Sequence, residues 1–175
     1  WDGTMEALDG LSRTQVQAAL GEGLERELIF ERETSSFRGQ REFLFAKPAV
    51  REVSYESVPQ EKRREAHGRV ADWLMARSEE EVNEHLGLIA EHLERAEKKD
   101  QAAIYLRRAG EQAAAQFANS EAVAYLSRAL ALTPEEAQAE RYALLLAREK
   151  VYDVQGERES QRQDLERLEE IAERL

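Results

Sequence analysis

Apolar residues recur at steps of three and four through most of this chain. From Gln101 to Phe117, Leu106, Ala109, Gly110 and Ala113 share one side of a helix; from Ser120 to Leu132, so do Ala122, Leu126 and Ala129. Asn119-Ser120 separates the two patterns, and Ser120 is placed to cap the second. Alanines at 102, 103, 109, 113, 114, 118, 122, 124 and 129 supply small side chains that permit close interhelical approach at little cost in helix entropy.

Similar stripes flank this pair. Ala66, Val70, Trp73 and Leu74 predict a helix over 60–77, with Lys62, Arg63, Arg64 and Arg69 on its solvated side. Ser78 should cap the next helix, whose first turn, Glu79-Glu80-Glu81, suits the positive end of the dipole. Val82, Leu86, Ile89 and Leu93 carry that helix to Glu97, and Lys98-Lys99-Asp100 forms a turn. Thr133 reads as a cap and Pro134 as the first position of a helix that runs through Tyr142, Leu145, Leu146, Val151 and Tyr152 to Gly156. A last helix, from about Glu157, carries Leu165, Leu168, Ile171 and Leu175, a stripe that would be exposed and would seek further repeats or a second copy of the chain.

The period shortens to two only near the N-terminus. After a short helix over Trp1–Leu8 and a turn at Asp9-Gly10-Leu11-Ser12, Ser12 should cap a helix with Val16, Ala19 and Leu20 inward, stopped by Gly21 and Gly23. Leu28 and Phe30, then Phe43 and Phe45, alternate with charged residues as in two half-buried strands, joined by the polar turn Thr34–Gln40. The chain turns helical again from Pro48, and Pro59 marks the next boundary. Helix, helix and hairpin is the order of a winged helix. The expected architecture is therefore mainly α: a winged-helix-like segment over 1–58, a connecting helix over 59–78 and helical repeats over 79–175.

Composition narrows the chemistry. With 35% charged and 42% apolar residues and a net charge of −11, the chain is not built for general nucleic-acid or membrane affinity. It has no cysteine, which leaves no disulfide framework and favours a cytoplasmic setting. No apolar run is long enough to cross a bilayer. Trp1 as first residue and a last turn that is still amphipathic predict a piece of a longer protein. His85 and His92, seven apart, would share a face near Glu81, but no third strong metal ligand accompanies them. The carboxylates lie at helix-surface spacing, and no phosphate loop or catalytic triad is present, so no enzyme is expected within these residues.

Two resemblances add to this reading. Ala122, followed by Leu126, Ala129 and Pro134 at steps of four, seven and twelve, with Gly110 twelve residues before it, resembles the tetratricopeptide repeat; Tyr152 and Gly156 fit the next unit. Trp1-Asp2-Gly3, Glu27-Leu28-Ile29-Phe30 and the block Phe43 to Val58 resemble the winged-helix segment of bacterial signal-transduction ATPases with numerous domains, most similar to those beside adenylate or guanylate cyclase, kinase or transcriptional activation domains. The resemblance implies a non-catalytic relay. An upstream NTPase domain would hold ATP or ADP with Mg, no cofactor would bind in these residues, and a protein or peptide partner would lie on the helical repeats. It also implies a nucleotide-sensor position, usually histidine, which here is Lys47. The alternative is a DNA-binding winged helix. Residues 13–33, its reading element, hold three cations against five anions, whereas 34–70 hold eight against five.

Overall fold

The structure, a computed structural model, describes residues 1–8 and 11–174; the turn expected at Asp9-Gly10 and the last stripe residue, Leu175, lie outside them. The described residues are mainly helical, with ten α-helices and one small two-stranded antiparallel sheet. Two compact units divide the chain, Trp1–Val82 and Asn83–Leu175.

The first unit opens with α1 (Asp2–Leu8) and α2 (Arg13–Glu25). Ser12 caps α2 in a reciprocal box, its hydroxyl accepting from the Gln15 amide while the Gln15 side chain accepts from the Ser12 amide. Gly21 and Gly23 do not stop this helix. It ends two residues later in a left-handed turn at Glu27, closed by the Leu28 amide on the Gly23 carbonyl. A Cβ at Gly23 would stand 2.9 Å from the end of the Ile29 side chain, which would have to turn aside.

Strands β1 (Ile29–Glu31) and β2 (Phe43–Phe45) pair with Phe30 opposite Leu44. That pair is exposed, so the sheet does not bury the residues its alternation suggested. The aromatic anchor comes instead from the turn read as polar. Phe37 is 2% exposed and packs edge-on against Trp1 at 4.6 Å and Trp73 at 5.4 Å. Helix α3 (Pro48–Ser57) contains no buried residue, whereas α4 (Gln60–Met75) buries Gly68, Ala71 and Leu74. The helix read as a connector over 59–78 thus belongs to the first unit, packing on α1.

The continuous helix expected over 79–97 is broken at His85 into α5 (Glu79–Glu84) and α6 (Leu86–Arg95). Ser78 caps α5 through Glu81. The second unit continues with α7 (Lys99–Ala115), α8 (Asn119–Leu132), α9 (Gln138–Gln155) and α10 (Arg158–Ala172), each packed against the next. Lys98, Ala118, Ala137 and Glu157, the residues that open these helices, share one backbone conformation, with φ between −82° and −79° and ψ between 61° and 69°. Positions 98 and 137, and 118 and 157, are each 39 apart, so the helix pair recurs with a longer period than the 34 residues of a tetratricopeptide unit.

Two boundaries move because these turns lack side-chain caps. Ser120 lies inside the first turn of α8, behind Ala118. Thr133 closes α8 rather than opening α9, its hydroxyl donating to the Ala129 carbonyl at 2.8 Å, and Pro134 sits in the turn four residues before α9 begins. The stripe of α10 is turned inward: Leu168 and Ile171 are buried, and Leu165 stays 43% exposed beside Arg162, which pairs with Glu159 and Glu166.

Candidate functional site

Close packing between α7 and α8 sets the geometry of the second unit's surface. A Cβ at Gly110 would stand 2.7 Å from Leu126 Cγ and 3.3 Å from the Ala122 carbonyl oxygen, so the two backbones approach as only small residues allow. Leu106, Ala109, Ala113, Ala122 and Ala129 are all buried, and most join one core with Leu144, Leu145 and Val151 of α9. Tyr152 is half-buried beneath Arg148, and Gly156, at φ 73°, ends α9 in the left-handed conformation.

Counting from each opening residue, steps of four and eleven give Ala102 and Ala109 in α7, Ala122 and Ala129 in α8, but Arg141 and Arg148 in α9. The alanine seam is therefore replaced by two arginines. Arg141 donates to the carbonyls of Leu130 and Thr133 at 3.2 and 2.8 Å, closing the end of α8. Arg148 bonds Ser127 of α8 and Asp164 of α10, joining three helices through one guanidinium.

With α8 set between them, α7 and α9 run in the same direction and leave two clefts in line. The first, about 360 Å³, lies between Asp100, Ile104 and Arg107 of α7 and Glu140 and Leu144 of α9, with Leu132 of α8 and Pro134 and Ala137 of the connecting turn. The second, about 330 Å³, continues past Glu111 and Ala114 to Ala147, Lys150 and Val154, with Phe117 at its end. Three large apolar side chains stand open along this line, Ile104 at 58%, Val154 at 66% and Phe117 at 82% exposure. Periodicity alone could not find them, because each lies off the buried stripe of its helix.

Chemistry is sparse elsewhere. Lys47 is exposed at the junction of β2 and α3, where its backbone caps α3 without a side-chain bond. Among the described residues no cluster of three His, Asp or Glu side chains could hold a metal ion; His85 stands at the start of α6 and His92 in its last turn. Arg13, Arg26 and Arg32, the cations of the supposed DNA-reading element, each face a carboxylate, as does Arg41 beyond it. No helix among the described residues is long and apolar enough to cross a membrane.

The sharpest electrostatic feature is structural. Glu42 is buried and accepts from Trp1 Nε1 at 2.9 Å, the Ser36 amide at 2.8 Å and Arg32 Nη1 at 2.7 Å. Burial alone would raise its carboxyl; the Ser36 amide, Arg32 and Trp1 together outweigh it and lower the pKa to about 2.

Compared with protein-family models, with curated proteins and with solved structures, the chain matches none.

Proposed function

We propose that this chain is a non-catalytic interaction module whose helical repeats hold a segment of a protein partner in the groove between α7 and α9. The carrying observation is that groove itself: two apolar clefts in line, with Ile104, Val154 and Phe117 left exposed along them. Isolated exposed apolar residues are ordinary, but three on one track between two parallel helices make a surface for an extended or helical peptide.

The wider context rests on resemblance. On this proposal the first unit is a winged helix, the second a tetratricopeptide-like stack, and together they relay the state of an NTPase domain in a signalling protein. The exposed Phe30–Leu44 pair and Phe45, with α3 and its outward Val53, support a face for such a domain. Lys47 stands where that domain's nucleotide would be sensed.

Selecting a random dodecapeptide library on the immobilised chain tests the groove. Enriched peptides should lose at least tenfold in affinity for Ile104→Glu and Val154→Glu, with helical circular dichroism and melting preserved. If no peptide is enriched, or enriched peptides bind both variants as well as the parent chain, the interaction reading is wrong.

A further inference from the structure

We infer that the α7–α9 groove takes an extended segment of another protein bearing a lysine or arginine beside a large apolar residue, with the cation at the Asp100–Glu140 end. This rests on the interaction reading above and adds polarity and chemistry to it.

Three observations converge. First, the 360 Å³ cleft is apolar in its depth but carries two carboxylates at its mouth, Asp100 from α7 and Glu140 from α9. Neither meets a cation among the described residues; the cleft's own cation, Arg107, is turned to Glu111 at 2.7 Å. Both carboxylates sit in the first turns of their helices. An apolar cleft with an unopposed anionic rim selects an apolar side chain flanked by positive charge. Secondly, the net charge of −11 draws cationic segments toward the chain as a whole.

Thirdly, Phe117 places a large apolar side chain, mostly exposed, at a strained turn. It stands at φ 60°, in the left-handed region, with its amide on the Ala114 carbonyl and the following Ala118 amide on the Ala113 carbonyl. The same turn uses Glu97 at the end of α6 and Gly156 at the end of α9, so the position does not call for a large apolar side chain. A phenylalanine held in that conformation and 82% exposed contributes little packing to the fold. At the far end of the groove, beside Val154, it provides an apolar platform for a bound segment. Asp100 and Phe117 lie seventeen residues apart along α7 and its turn, roughly 25 Å, about the length of an extended heptapeptide.

Fluorescence polarisation with three labelled heptapeptides tests this. One begins Lys-Leu and ends in Phe, one replaces its lysine by glutamate, and one replaces its leucine and phenylalanine by serine. The first should bind most tightly and weaken about tenfold in the Asp100→Asn, Glu140→Gln double variant, which retains the isosteric side chains. Phe117→Gly should weaken it at least fivefold while raising the melting temperature, a divergence that a purely structural role for Phe117 would not produce. If the lysine and glutamate peptides bind equally and the double variant changes neither, the inference fails while the groove reading stands. If none of the three binds, and selected peptides are insensitive to Ile104→Glu, both fail.

Discussion

The guanidinium of Arg148 and the carboxylate of Asp164 form a two-pronged buried pair, Nε to Oδ2 at 2.8 Å and Nη2 to Oδ1 at 2.6 Å. Asp164 is 1% exposed, and Arg148 spans from it to Ser127 Oγ at 2.8 Å. Removing Arg148 strands the Asp164 carboxylate without solvent, so Arg148→Ala should cost about 3–5 kcal/mol in urea unfolding, and Asp164→Ala, which leaves a guanidinium 11% exposed, somewhat less. Replacing both by apolar residues of similar volume, Arg148→Met with Asp164→Leu, should recover most of that loss. A double variant as unstable as the singles would mean that the pair is more than mutual compensation of buried charge.

At the α7–α8 crossing, magnitudes decide the sign. Gly110→Ala gains about 1 kcal/mol of helix propensity but drives a methyl against Leu126, an overpacking that costs about 1–3 kcal/mol. A net loss of about 1 kcal/mol is expected. Ala109→Leu has no propensity gain and should lose about 2 kcal/mol. Thermal melting in which Ala109→Leu is neutral would show that α7 and α8 do not meet at this face.

Opposite signs are expected at two equivalent turns. Phe117→Gly relieves a left-handed residue and should stabilise the chain by about 1 kcal/mol, whereas Gly156→Ala introduces the same strain and should destabilise it by about as much. Chemical denaturation of the two variants side by side checks both.

Glu42 ties the stability of the first unit to acid pH. Its carboxyl titrates at about 2 in the folded chain against an ordinary 4.5 when unfolded, so its contribution is full above pH 4.5 and is lost as pH falls toward 2. Both tryptophans, Trp1 and Trp73, lie in this unit, and Trp1 donates to Glu42 itself. Tryptophan fluorescence during urea titration should therefore report a midpoint that drops between pH 5 and pH 2.5. In Glu42→Gln the midpoint should be lower at pH 7, and the acid-induced drop smaller.

Much of the scaffold was legible because it obeys local rules. Ser12 and Ser78 are legible as caps because each stands just before a helical stripe, and the stripes through Leu106 and Leu126 follow from helical spacing. What escaped depends on residues far apart or out of period. Trp1 and Glu42 are 41 positions apart, and Phe37 hides in a turn whose other residues are polar. Arg148 occupies a place where its sister helices use alanine, and only the sixteen-residue reach to Asp164 explains it. Ser120 and Pro134 do not mark the helix starts that their residue types suggest, because backbone geometry at Ala118 and Ala137, rather than a side-chain cap, opens those helices. The groove was invisible for a related reason, since the sequence pattern reveals what each helix buries and not which outward residues two helices bring into line.

Amide mapping of the isotope-labelled chain during titration with the Lys-Leu heptapeptide bears most directly on that groove. Shifts should concentrate at Ala103, Ile104 and Arg107 of α7 and at Glu140, Leu144 and Ala147 of α9, leaving α1 to α4 unmoved. Shifts confined to the first unit or to α10, or none at saturating peptide, would contradict a binding groove between α7 and α9.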